Sequence, residues 1–179
     1  RQNDAATTER SRRMLNIPRD TGEFLSVLVR ASAARRILEV GTSNGYSTLW
    51  LAQAAAATGG GVTTLERSGH KVELASATFA RSGLEPLITL VQDDAGAFLA
   101  RCEPEAFDLV FLDSERSGYC GWWIFLRDAL RPGGLLVADN ATSHAAEMAP
   151  FIALVSADPA FTTSLVPVGN GEFLAVKAP

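Results

Sequence analysis

Apolar positions in this chain fall into short runs separated by stretches of helical spacing, and the alternation reads as a series of elements. Ile37, Leu38 and Val40 make a short buried strand that ends at Gly41. Gly45 follows, and from Tyr46 the spacing turns helical through Leu49, Trp50 and Ala52. This alanine-rich helix is expected to run to about Ala57 and to stop at the Thr-Gly-Gly-Gly of 58–61. Residues 62–65 predict a second strand ending in Glu66, 71–80 a helix closed by Gly83 and Pro86, and 88–91 a third strand. After a short helix through Phe98 and Leu99, the almost wholly apolar run 107–113 has the character of a central parallel strand. A helix over about 118–130 carries Tyr119, Trp122, Trp123 and Phe125; a turn at 131–134, a fifth strand at 135–138 and a helix through Phe151 and Leu154 follow. Residues 161–166 and 172–176 read as a closing antiparallel hairpin. Near the start, Asp20 or Thr21 is expected to cap a helix whose apolar face carries Phe24, Leu25, Val27 and Leu28.

Strands that alternate with helix-length connections make a parallel sheet with right-handed crossovers. The polar residues then gather at the strands' carboxyl ends: Gly41, Glu66, Asp94, Asp113 and the pair Asp139-Asn140. Open α/β sheets bind ligands there. The strand, glycine turn and helix around Gly41 and Gly45 leave backbone N–H groups aimed above the strand end, which suits a nucleotide-like cofactor. The third glycine of the dinucleotide fingerprint is missing. Glu66 either accepts ribose hydroxyls or is simply solvated; Asp94 either caps the next helix or accepts from an exocyclic amine such as adenine's.

Composition narrows the picture further. The 179 residues, 47% hydrophobic and 20% charged, are ordinary for a globular protein and match one domain by length, with 1–18 as an N-terminal tail or lid and 19–179 as the core. That tail is polar, with Arg10, Arg12 and Arg13, and reads as a solvated surface segment, a lid or a dimer arm. A net charge of −4 gives no general electrostatic case for nucleic acid or membrane partners. No apolar run approaches the roughly 20 residues of a membrane span, and no secretory signal is visible. Cys102 and Cys120 make neither a disulfide frame nor a zinc site and fit a reduced, cytoplasmic chain. Arg1 in place of a methionine reads as a processed or trimmed start.

The ordered set ILEVGTSNGYSTLWLA, TTLE, QDDA, FDLVFLDSER and LRPGGLLVADN resembles the S-adenosylmethionine-dependent class I methyltransferases. Within them the chain resembles the small O-methyltransferases typified by the catechol and caffeoyl-CoA enzymes, over about residues 20–177. The resemblance implies an α/β fold, a Rossmann-like seven-stranded and mostly parallel sheet flanked by helices, with the last strand antiparallel. It implies methyl transfer to a hydroxyl oxygen of a small, aromatic acceptor. Glu39, Gly41, Thr42, Ser43, Gly45 and Ser47 would surround the methionine part of the cofactor, with Asp113 beside them. Glu66 would take the ribose and Asp94-Ala95 the adenine. Asp113, Asp139 and Asn140 match the family's divalent-metal ligands. Two carboxylates and an amide are hard oxygen donors suited to Mg²⁺, Mn²⁺ or Ca²⁺ rather than zinc. The alternative for these three is turn residues and helix caps.

Some positions depart from the family pattern. Where a lysine thought to deprotonate the acceptor is usual, this chain has Arg116, whose guanidinium stays protonated at neutral pH. Arg116 could hold an anionic substrate group or pair with a carboxylate. His144, just beyond Asn140, is then the candidate general base, unless it merely lines the following helix. Trp122 and Trp123 either wall an aromatic acceptor or belong to the core. Three other readings stand beside metal-assisted O-methyl transfer: an S-adenosylmethionine binder without catalysis, a metal-independent methyltransferase, and an NAD-type oxidoreductase. A homodimer is also possible on this reading.

Overall fold

A computed structural model describes residues 16–179. The basic positions Arg10, Arg12 and Arg13 lie outside the described residues. Seven strands form one sheet in the order β3-β2-β1-β4-β5-β7-β6. They are β1 (Arg36–Val40), β2 (Gly61–Glu66), β3 (Ile88–Gln92), β4 (Phe107–Leu112), β5 (Leu130–Ala138), β6 (Phe161–Val166) and β7 (Glu172–Lys177). The first five pair in parallel, and β7 runs antiparallel to both of its neighbours, β5 and β6. Six helices connect them: α1 (Arg19–Ala31), α2 (Tyr46–Thr58), α3 (Gly69–Ser82), α4 (Ala95–Leu99), α5 (Tyr119–Ala129) and α6 (Ala145–Ser156). The expected Rossmann-like architecture is therefore present, reversed last strand included.

The period of two along each strand divides the core between the two faces of the sheet. Ile37, Leu109, Phe111, Leu135 and Val137 face α1 and α2, while Leu38, Val110, Leu112, Leu136 and Ala138 face α5 and α6. In α1, Thr21, Leu25 and Val29 form one buried stripe at helical spacing. Alanines 52, 54 and 55 let α2 lie close against β1 and β2, and its end is closed by Gly59 at φ +70°.

The structure corrects several local expectations. Pro18, not Asp20 or Thr21, holds the capping position of α1, and no side chain caps it. Asp20 instead accepts the Thr21 and Gly169 N–H groups, and Thr21 points into the molecule. Val27, expected on the apolar face, is 62% exposed. Residues 131–134 are not a free turn: they belong to β5, which carries a register shift against β4 between Phe107 and Leu109. Arg131 reaches back to Asp108 and holds this irregular stretch to the sheet (Nε–Oδ1 2.9 Å). Ile17, placed by sequence in the tail, is buried under α1.

Candidate functional site

Beyond the ends of β1, β3, β4 and β5 the chain is pinned by further ladder hydrogen bonds. Gly41 and Thr42 donate to the Leu65 carbonyl at 3.0 Å, Asp93 to Glu66 at 3.1 Å, Asp113 to Val40 at 3.0 Å and Asp139 to Leu112 at 3.0 Å. The side chains that follow are therefore aimed by the sheet rather than by free loops. Gly41 has φ +107°, and a Cβ there would lie 2.1 Å from the Asp113 carbonyl oxygen. Only glycine lets the loops after β1 and β4 touch.

Glu39 is fully buried. Its Oε2 accepts from the hydroxyls of Thr48 and Thr64, and Thr64 is linked in turn to Thr42 at 2.6 Å. Burial pushes the Glu39 carboxyl up to about 7, while hydrogen bonds from Ser47, Thr48 and Thr64 oppose the shift. Its Oε1 is buried with no partner among the described residues. A buried oxygen left in that state fits a ligand's donor, such as an ammonium group. Glu66 holds the turn shut from the other side: Oε2 accepts the Ser43 N–H at 3.0 Å and Oε1 the Ser68 N–H at 2.9 Å. Ser43 itself sits at φ +51°. Asp94 caps α4 through the Ala97 N–H at 3.0 Å, so the capping alternative is realised, and the residue is exposed beside Ala95.

Asp113, Asp139 and Asn140 converge. The Asn140 amide donates to Asp113 Oδ1 and to Asp139 Oδ2, both at 3.1 Å, and its backbone, at φ +68°, donates to Asp139 Oδ1 at 2.6 Å. Both carboxyls are pushed up from the ordinary range, first by burial; Asp113 is raised further by the neighbouring charges of Asp139 and Glu39. Two carboxylates turned onto one positive edge are a place for a cation, and turning the amide about its last bond offers Oδ1 there. The donor set fits a hard divalent ion. Among the described residues no group of three His, Cys, Asp or Glu side chains gathers as metal ligands.

Arg116 forms an ion pair with Glu147 of α6 (Nε–Oε2 2.8 Å), with its own side chain only 8% exposed. Of the roles open to it from sequence, the structure shows pairing with a carboxylate. His144 precedes α6 without capping it; its Nδ1 lies 2.9 Å from Ser143 Oγ, which reaches Asn140 Oδ1 at 3.2 Å. Through Ser143 the imidazole is thus linked to the same cluster.

Two contributors were given no site role by the sequence. Glu172, at the start of β7, is wholly buried, and continuing the β5–β7 register places it opposite Asp139. Its Oε1 accepts from Thr21 of α1 at 3.1 Å, and burial, then the Asp139 charge, raises its carboxyl. Tyr119 braces the loop after β4 by accepting the Ser114 N–H at 2.9 Å. The local sequence carried no signal for the first of these, since Glu172 opens a wholly apolar run, Phe173 to Val176, as a solvated strand-start residue would. Trp123 lies in the core against Phe151 and Phe161, whereas Trp122 is only half-buried.

A cleft of about 640 Å³ lies at the opposite, amino-terminal end of the sheet, lined by Arg35, Arg36 and Arg131. Its charges are already used. Asp108 accepts the backbone N–H groups of Arg35 and Arg36 and the guanidiniums of Arg36 and Arg131, and Arg35 donates to the Gly59 carbonyl. The strand carboxyl ends, where unpartnered acceptors converge, are the better candidate.

Comparison with known proteins identifies the family to which this fold belongs. The O-methyltransferase family model matches residues 2–178. A catechol O-methyltransferase of Mycobacterium tuberculosis is 38% identical over 122 residues, covering 66% of this chain and 54% of that protein. The O-methyltransferase of Bacillus cereus, solved in complex with SAH (S-adenosylhomocysteine), superposes with a TM-score of 0.83 at 26% identity, over 98% of this chain and 87% of that one. TomG of Streptomyces achromogenes, an O-methyltransferase solved with SAM (S-adenosylmethionine), gives 0.81 at 27% identity, over 92% and 82%. With a family match along nearly its whole length and the same sheet, the chain belongs to the O-methyltransferase family.

Proposed function

We propose that this chain binds S-adenosylmethionine across the carboxyl ends of β1 to β4 and methylates a hydroxyl oxygen of a small, aromatic acceptor beside Asp113, Asp139 and Asn140. The observation that carries the reading is the Asn140 amide held between two carboxylates next to the glycine turn. Around the cofactor, Glu39 Oε1 would take the amino group and Glu66 the ribose hydroxyls, with Gly41, Gly45 and Ser47 shaping the turn. Asp94 and Ala95 would meet the adenine. The cofactor supplies the electrophilic methyl group; a divalent ion held by Asp113, Asp139 and Asn140 would lower the acceptor hydroxyl's pKa and orient it. The protein's own part is to hold both partners in line and to receive the proton. His144 would take that second task, a reading supported by the engagement of Arg116, whose guanidinium stays protonated, with Glu147.

The test is calorimetry with S-adenosylhomocysteine and Mn²⁺ on the wild type and on Asp139→Ala. The expected result is SAH binding in both proteins, Mn²⁺ binding in the wild type alone, and turnover abolished by EDTA and restored by Mg²⁺ or Mn²⁺. Full turnover in excess EDTA would refute the metal-assisted reading. The locked Arg116–Glu147 pair favours one second reading, an S-adenosylmethionine binder without transfer, which predicts SAH binding with no turnover on any catechol-like acceptor.

A further inference from the structure

The residues that follow Asn140 are held by a turn from the far end of the chain, the one joining β6 to β7 at 167–171. Ala141 donates its N–H to the Gly171 carbonyl at 2.8 Å. Thr142 and Ser143 donate theirs to the Asn170 carbonyl, at 3.1 and 3.0 Å, and the Thr142 hydroxyl donates to the same oxygen at 2.5 Å. Donors from three consecutive residues thus converge on two carbonyls. Gly171 stands at φ +89°, and a Cβ there would lie 2.2 Å from Thr142 Oγ1, so the two segments meet with no room for a side chain between them. The turn is itself braced: Gly171 donates to the Val168 carbonyl at 2.8 Å, and Gly169 to Asp20 of α1 at 3.2 Å.

What this docking fixes is the residue just before it. Asn140 stands at φ +68°, a left-handed conformation that a residue with a side chain keeps only where its surroundings hold it. In that conformation its amide lies between Asp113 and Asp139, 3.1 Å from an oxygen of each. An extended or right-handed backbone at 140 would swing the amide off this edge. Most of the bonds to the turn come from backbone groups that any sequence supplies. The Thr142 hydroxyl is the contribution that depends on the side chain.

We infer that Thr142 is a positioning residue for the cation site: by tying the chain after Asn140 to the β6–β7 turn, it holds the amide where a hard divalent ion beside Asp113 and Asp139 meets it. This inference rests on the proposed metal-assisted reading and adds the support behind the third ligand. Removing an outer group that orients a ligand costs about 10- to 100-fold in metal affinity. The cofactor side chains Glu39 and Glu66 lie on β1 and β2, and none of the hydrogen bonds of Thr142 reaches them.

The experiment titrates wild type, Thr142→Val and Thr142→Ser with Mn²⁺, followed by electron paramagnetic resonance of the free ion, and with SAH by calorimetry. Thermal melts show that each protein is folded; Thr142 is exposed, so neither change disturbs the core. The wild type should bind both ligands. Thr142→Val keeps the shape of the side chain without its hydroxyl and should weaken Mn²⁺ on the order of 10-fold, with SAH within about threefold of wild type. Thr142→Ser should bring Mn²⁺ back to within about threefold of wild type. Should the valine variant fold poorly, Thr142→Ala carries the same expectation. Wild-type Mn²⁺ affinity in a folded variant without the hydroxyl would overturn the proposal and leave the metal reading intact. So would equal losses of Mn²⁺ and SAH, the mark of a general loosening, or a serine variant as weak as the valine one. A wild type that binds SAH but no Mn²⁺ would overturn both.

Discussion

The carboxylate of Glu66 has more to do than its position at a strand end suggests, and this makes it a sharp test of the cofactor site. Each oxygen already accepts a backbone N–H, from Ser43 at 3.0 Å and from Ser68 at 2.9 Å. Only their remaining lone pairs are left for ribose hydroxyls. Removing the carboxyl with Glu66→Ala takes away the ribose contacts, at about 2–3 kcal/mol, or roughly 30- to 100-fold in SAH affinity. It also releases the glycine turn. Two half-buried N–H groups then turn to water, costing about 1–2 kcal/mol of stability, which lowers the melting temperature by about 3–6 °C in a chain of this size. Glu66→Gln looks conservative and should not behave so. Glutamine has one acceptor oxygen for two converging N–H donors, and its NH₂ would face one of them. At least a tenfold loss of affinity is expected there as well. Calorimetry with SAH and thermal melts on the three proteins give both readouts. Affinity within threefold of wild type in either variant would remove Glu66 from the site.

Two further outcomes follow from the cluster beyond it. His144→Ala should cut turnover by roughly 100-fold and erase the acid limb of the pH–rate profile while leaving SAH affinity unchanged; an unaltered rate and profile would take the imidazole out of the chemistry. Glu39, with its carboxyl raised to about 7 by burial, keeps in the folded state a proton that the unfolded chain releases near 4.5. Its stabilising effect is therefore complete below about pH 4.5 and fades as pH rises through 7, so the ligand-free protein should melt lower, by about 5 °C, at pH 8 than at pH 5. Glu39→Gln should flatten that slope, and an equal slope in the variant would show that the drift arises elsewhere.

The parallel half of the sheet was legible because each strand there is a local apolar run closed by a polar residue. Val40 to Gly41, Leu65 to Glu66 and Leu112 to Asp113 each carry both signals within a few positions. What was not legible depends on distant pairing. Glu172 reads locally as the solvated start of a hairpin strand, and only the insertion of β7 beside β5 buries it opposite Asp139. Thr21 reads locally as a helix cap and is instead drawn inward by Glu172. Residues 131–134 carry proline and two glycines, the usual marks of a turn, yet the Arg131–Asp108 ion pair holds that stretch to β4 inside the sheet. Trp122 and Trp123 are adjacent in sequence and indistinguishable by composition; the ring of Trp122 lies against Gly96 and Gly118, far apart in the chain, and that of Trp123 lies in the core.

The place of β7 has a consequence for how the protein is made. It is the latest of the seven strands in sequence but sits inside the sheet, between β5 and β6. Until it emerges, β5 has an open edge of apolar residues and β6 has nothing to pair with. The contact between Thr21 and Glu172 spans 151 positions, so it closes only when the two ends of the fold come together. The acidic cluster at Asp139 would then be assembled in the last stage of folding, because the strand that backs it arrives last. A nascent chain stopped just short of Glu172 would present the bare edge of β5 to other chains, a template for aggregation that six more residues remove.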